Sequence, residues 1–284
     1  MTADAGGSEF RVTFWGVRGS VPSPGPQTAH FGGNTSCVDV RCGDVQLVFD
    51  GGTGLRNLGA ALTEQNPVTV HLFFSHVHWD HIQGFPFFAP AFQPGNTINM
   101  YGATNVTGTL ESAMAGQMES PNFPVKLDQL PSNLVFHDIH PGESVEIAKG
   151  VRVSTAAGHH PGGVMAYRVD YRGHSLVYMT DTEFGSEADV GLAGLAKGSD
   201  LLIYDCQYTP EEYRGEDGRM SKVGWGHSTF EAGVELAKRA GVERLVLFHH
   251  DPDQTDDAVR DKERRAREVF PNSIAAYEGL AIEL

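Results

Sequence analysis

Cysteine is scarce in this 284-residue sequence: Cys37, Cys42 and Cys206 are the whole supply, odd in number and without a C-x-x-C pair. That excludes a disulfide framework and a thiolate zinc site, and leaves reduced core cysteines as the expectation. Long apolar runs are also missing, since none approaches the roughly 18–20 residues a membrane span requires. The opening MTADAGGSEF has no basic patch followed by an apolar stretch, so a soluble, cytoplasmic protein with a disordered start at 1–9 is expected. Basic residues are few, 21 Lys and Arg against 36 Asp and Glu, for a formal net charge of −15. A chain so acidic repels polyanions at long range, which disfavours long nucleic acids as partners. No linker rich in Pro, Gly or Ser interrupts residues 10–284, which therefore read as one domain, large enough to bury about three quarters of its unfolded surface without a structural metal.

What is present is a rhythm of short strands. RVTFWG (11–16), CVDVRCGDVQLVFD (37–50, turning at Cys42-Gly43-Asp44), VTVHLFFS (68–75) and TINMYG (97–102) alternate apolar residues between turn signals. Between two of them, GLRNLGAALTEQ (54–65) spaces Leu55, Leu58, Ala61 and Leu62 along one helix face. The second half repeats the pattern with VRVSTAA (151–157), a hairpin over 164–181 turning at Arg172-Gly173, DLLIYD (200–205) and ERLVLF (243–248). A helix over 228–240 opens on Ser228-Thr229-Phe230-Glu231, which fits a capping box. Two β-rich halves with helices suggest an α+β fold, two sheets packed face to face with helices outside. The stretch 103–133 reads as a helix and then a Pro-punctuated loop, suited to a lid or to a homodimer interface.

The chemistry concentrates in SHVHWDHIQG (75–84), where an apolar strand runs out into a loop. Residues i and i+2 of extended backbone point the same way, so His76 and His78 can grip one ion while Asp80 and His81, past the bend, reach a second. One loop cannot complete two ions, and further ligands are expected at later strand ends. AAGHHPGG (156–163), TDTEFG (180–185) and FHHDPD (248–253) each supply a His or Asp there. His159 and His250, beside the better-placed members of their pairs, are expected to be neighbours rather than ligands. Imidazole and carboxylate without thiolate suit Zn2+ best, with Mn2+ or Fe2+ as alternatives. Zinc can lower the pKa of bound water from 15.7 to about 7, which removes the need for a Ser or Cys nucleophile.

The motif HVHWDH resembles the H-x-H-x-D-H signature of the metallo-β-lactamase-fold hydrolases, and the ordered His, Asp and His of the later strand ends match that superfamily's remaining ligand positions. The resemblance covers roughly 10–284 and implies an αββα sandwich of two mixed sheets. It implies that His76, His78 and His160 hold one metal, Asp80, His81 and His249 the other, and that Asp181 bridges both. Flavodiiron-type relatives carry Glu where this chain has His78, so oxygen or nitric oxide reduction is not expected. Asp181 stands where many zinc β-lactamases have Cys, which speaks against antibiotic hydrolysis. WGHSTFEAG (225–233) resembles the H-S-T element of the phosphodiesterase branch, implying that His227 donates a proton to the leaving group and that Asp205 in IYDCQYT orients it; Asp80 joins them as a catalytic group. Asp50 in VFDGGTG matches the superfamily's first motif and is expected to prop the metal loop.

Arg18 in FWGVRGS is a candidate for meeting a phosphate, with a turn on the β-scaffold an equal alternative, and Phe85, Phe87, Phe88 and Phe92 are expected as core or lid hydrophobes, with base stacking as the alternative. Trp79 is expected to pack. Residues 103–150 carry six acidic residues against Lys126 and Lys149, unlike the basic arm a tRNA 3′-processing endonuclease needs. The expected substrate is therefore a small phosphodiester such as a cyclic nucleotide. The tRNA endonuclease, a lactone or ester hydrolase, and a low-turnover metal-binding sensor stand as alternatives.

Overall fold

In a computed structural model that describes residues 10–103 and 108–284, fourteen strands form two seven-stranded mixed sheets. The first sheet holds β1 (Phe10–Gly16), β2 (Cys37–Cys42), β3 (Val45–Phe49), β4 (Thr69–Phe73), β5 (Thr97–Gly102) and β6 (Asn133–Asp138). The second holds β7 (Ser144–Ala148), β8 (Val151–Gly158), β9 (Val164–Tyr171), β10 (His174–Met179), β11 (Leu201–Asp205), β12 (Arg244–Phe248) and β13 (Ser273–Ala275). The chain then returns to the first sheet as β14 (Ala281–Glu283), antiparallel to β1. β3 to β6 run parallel, as do β10 to β13, so each sheet has one parallel flank whose strands end on the same side.

The helices are α1 (Gly54–Leu62), α2 (Trp79–Ile82), α3 (Leu110–Gln117), α4 (Ala188–Ala196), α5 (Pro210–Arg214), α6 (Phe230–Ala240) and α7 (Asp256–Val269). Three apolar clusters account for the layering. Phe14, Phe49 and Phe73 of the first sheet meet Tyr167, Tyr178 and Phe248 of the second in one core. Leu55 and Leu58 of α1 cover the outer face of the first sheet, and Leu192 of α4, Val234 of α6 and Val259 of α7 cover that of the second. Each such large side chain contributes about 1.5–3 kcal/mol on burial. The expected αββα sandwich is the observed one.

The differences are local. α1 stops at Leu62, three residues short of expectation, in a 3-10 turn ahead of Pro67, whose ring disfavours helix in the residue before it. α6 is capped by Thr229, whose side chain accepts from Ala232 N. Ser228 cannot cap because its hydroxyl serves Thr182 O, Tyr204 Oη and Phe184 N. Within 103–133, Leu110, Met114, Met118, Leu127 and Leu130 are buried in the outer core, so the described part of that segment packs inward. The expected disorder at 1–9, and residues 104–107, lie outside the described residues. No helix among the described residues is long and apolar enough to cross a membrane.

Candidate metal centre

The parallel strands deliver their C-terminal ends to one rim. β3 ends at Asp50, β4 at the Ser75–His81 loop, β10 at Asp181, β11 in Asp205, and β12 at His249; β8, which runs in the same direction as β10, brings His160 just past its C-terminal end. Among the described residues five non-glycines have positive φ, and three are Asp50 (61°), Asp181 (51°) and His249 (59°). A fourth, Ser20 (63°), gives its backbone N–H to Asp80 Oδ2 at 2.8 Å. Left-handed backbone costs a non-glycine residue on the order of 1–3 kcal/mol, and its clustering here marks a site that the surrounding fold holds against strain.

Ligand atoms of His76, His78 and His160 lie within 4.8 Å of one another, as do those of Asp80, His81, Asp181 and His249. His160 Nε2 is 3.1 Å from His78 Nδ1. Asp181 spans the two groups: Oδ1 lies 3.3 Å from His81 Nε2 and 3.2 Å from His249 Nε2, while Oδ2 lies 3.8 Å from His76 Nε2 and 4.0 Å from His160 Nε2. Asp80 Oδ2 completes the second group, 3.1 Å from His81 Nε2 and 3.2 Å from His249 Nε2.

Three of the imidazoles are set by their other nitrogen. Nδ1 of His160 donates to Gly226 O at 2.9 Å, Nδ1 of His249 to Gln207 Oε1 at 3.0 Å, and Nδ1 of His81 to Asp50 Oδ2 at 2.7 Å. A donating Nδ1 leaves Nε2 with a lone pair aimed into the cluster, the tautomer a metal takes. Nε2 of His76 and of His81 are buried without a hydrogen-bond partner, an expensive arrangement that a metal ion would relieve. Burial, with the imidazole of His81, holds His76 well below its ordinary pKa and so neutral. Burial works the same way on His81, but Asp80, Asp181 and Asp50 outweigh it and push that imidazole well above its ordinary value. A divalent cation competes for the position of that proton. The donor set therefore fits two divalent ions, with no thiolate within it.

His227 stands beside both groups, its ring stacked on His249 at 5.1 Å and edge-on to His160 at 5.1 Å. Its Nδ1 donates to Asp205 Oδ2 at 2.9 Å, and Asp205 Oδ1 accepts Gln207 N at 3.0 Å. Burial lowers the His227 pKa, but the charge and hydrogen bond of Asp205, with Asp181 and Asp80 behind, raise it to about 9. Asp181, Asp205, His227 and His249 also lie close enough to hold an ion. The direct His227–Asp205 bond takes the nitrogen and the oxygen that such an ion would need, and reads instead as an oriented proton carrier.

All of the expected ligands, together with His227 and Asp205, thus converge. Asp50 props the loop as expected, accepting from Ser75 N, Ser75 Oγ, His81 Nδ1 and Tyr178 Oη at 2.7–2.8 Å. Trp79 departs from expectation, and Arg18 loses its candidacy. Arg18 is fully buried and donates to Gly32 O, Asp251 O and Gln254 O, so it ties loops together rather than meeting a phosphate. Trp79 is not packed; it is 79% exposed between His78 and Asp80. Phe87 is likewise exposed, whereas Phe85 and Phe88 are core. His250, expected beside the ligands rather than among them, is buried and donates through Nε2 to Ala276 O. Gln207, Gly226 and Glu183 were not singled out from sequence, since an amide, a backbone carbonyl and a non-ligating carboxylate carry no spacing signal.

A family model described as "Beta-lactamase superfamily domain" matches residues 46–250. The ribonuclease Z of Bacillus subtilis is 24% identical over 256 residues, 75% of this chain and 80% of that protein. Two solved structures share the fold: the short form of human tRNase Z (TM-score 0.67, 21% identity, 96% of this chain and 98% of that one) and a diphosphatase from the PhnP family (TM-score 0.70, 20% identity, 97% and 98%).

Proposed function

The chain belongs to the beta-lactamase superfamily domain family, and from that premise we propose that it is a metal-dependent phosphodiesterase. The observation that carries this reading is the buried His227–Asp205 pair set against the rim of the metal centre, because general-acid assistance is what a poor alkoxide leaving group requires and an activated acyl group does not. His76, His78 and His160 would hold one ion, Asp80, His81 and His249 the other, with Asp181 shared. Two divalent ions, best zinc for this donor set, would supply Lewis-acid charge to the phosphoryl oxygens and an acidified water as nucleophile. Asp205 keeps the Nδ1 proton of His227 in place and stabilises the imidazolium, which leaves Nε2 as the proton donor to the departing oxygen. Ser20 N–H and the imidazoles around Asp80 keep that carboxylate turned toward the second ion.

For the substrate we favour a compact phosphodiester, a cyclic nucleotide among them, on the net charge of −15 and the acidic 103–150 region. The name ribonuclease Z borne by a relative favours a second reading, in which an RNA end is cleaved through contacts restricted to the rim. Metal analysis joined to turnover of bis(p-nitrophenyl) phosphate, 2′,3′- and 3′,5′-cyclic nucleotides, a lactone and a tRNA precursor separates these. Two equivalents of zinc or manganese and phosphodiester turnover abolished by chelation are expected. Turnover of the tRNA precursor should rise or stay level as salt screens the repulsion, opposite to the fall that a phosphate-gripping surface shows. Lactone turnover without phosphodiester turnover would overturn the reading.

A further inference from the structure

Glu183 lies two residues past Asp181, is 6% exposed, and sits apart from both metal groups and from the His227–Asp205 pair. Its backbone N–H donates to His159 O at 2.9 Å, so it is tied to the strand end that carries His160. Its carboxylate gathers one loop: Oε1 accepts from Tyr213 Oη at 2.5 Å and from Gly224 N at 2.7 Å, and Oε2 from Gly226 N at 2.9 Å. Gly226 in turn presents its carbonyl to His160 Nδ1 at 2.9 Å and precedes His227. The fit is close. Gly226 has φ of +86°, and a Cβ there would stand 2.3 Å from His160 Nδ1 and 2.4 Å from Pro161 Cδ.

We propose that Glu183 is a positioning residue that, through the Gly226 peptide, fixes the tautomer and orientation of His160 and so sets the affinity of the metal pocket formed by His76, His78 and His160. Gly226 is held on both sides, its N–H bound by Glu183 and its carbonyl spent on His160. Among the described residues no such bond links Glu183 to His81 or His249, which take their orientation from Asp50 and Gln207. The effect is therefore confined to one of the two metal pockets. A group hydrogen-bonded to a ligating imidazole, as Gly226 O is to His160, typically changes affinity or activity 10–100-fold when lost, and Glu183 acts by holding that group in place.

The inference rests on the two-metal reading, and its test is zinc titration against a competing chelator, paired with the thermal midpoint of the metal-free protein. Glu183→Ala, Glu183→Gln and Tyr213→Phe are compared with the wild type. Glu183→Gln keeps an acceptor for Tyr213 and Gly224 but turns an amide N–H toward Gly226 N–H, so it tests the site even where the alanine variant does not fold. One of the two zinc affinities should fall 10–100-fold in Glu183→Gln, with the other unchanged, and Tyr213→Phe should shift the same affinity less. Two unchanged affinities, or an equal fall in both with a lowered metal-free midpoint, would make Glu183 a general structural anchor and overturn the proposal. A wild type that binds no zinc would instead remove the two-metal reading itself.

Discussion

His227 and Asp205 divide the chemistry at the scale of single residues. His227 must carry its proton to assist a leaving oxygen, and its pKa of about 9 keeps it charged near neutrality. Bound cations would cancel much of what Asp181 and Asp80 contribute, leaving Asp205, at 2.9 Å, as the group that holds the imidazolium. Replacing that anion favours the neutral ring, so the His227 pKa falls. Asp205→Asn should therefore move the alkaline limb of the kcat–pH profile down by about one unit or more; a limb that does not move would show that another group titrates there. The roles of His227 and Asp205 were legible through the resemblance of their surroundings to the H-S-T element, since a His ahead of a capped helix and an Asp at a strand end carry no such role by themselves. Gly226 was not, since its role lies in a carbonyl and a missing Cβ.

At the scale of elements, the site is a property of strand ends. β4, β10, β11 and β12 are buried toward their C-terminal ends, which makes their apolar runs conspicuous and places the His and Asp residues that follow them on one rim. Elements with weaker contrast were passed over. β6 and β7 are half-exposed edge strands, and α7 buries only Val259, Lys262 and Ala266, so a lysine occupies one of its few inward positions and blurs the period. Lys262 is inside because its ammonium serves Cys206 O and Gln254 Oε1, a use that no hydropathy pattern reveals. The metal loop itself depends on close backbone packing: Gly84 N donates to Gly51 O at 2.9 Å, and a Cβ on Gly84 would stand 1.8 Å from Gly52 O. Gly84→Ala must push the α2 segment off its seat, at about 1–3 kcal/mol, which for a chain of this size is roughly 2–10 °C of thermal midpoint. Calorimetry with metal analysis checks this; an unchanged midpoint with full metal content would mean that the loop has slack.

For the whole molecule, the two-half strand rhythm pointed to two packed sheets independently of any family likeness, because it follows from burial of the sheets against each other. The net charge was equally legible, and it bears on what reaches the rim more than on what happens there. What happens there turns on whether a proton is delivered. An alkoxide leaving from ribose needs that proton, whereas p-nitrophenolate is a stable anion and leaves without it. The decisive measurement compares wild type with His227→Ala, both loaded with two metal equivalents, on a 2′,3′-cyclic nucleotide and on bis(p-nitrophenyl) phosphate. The expected result is a loss of roughly 10²–10⁴-fold in kcat on the cyclic nucleotide and a much smaller loss on the nitrophenyl ester. Equal losses on both, or none on either, would contradict a metal-dependent phosphodiesterase in which His227 is the general acid.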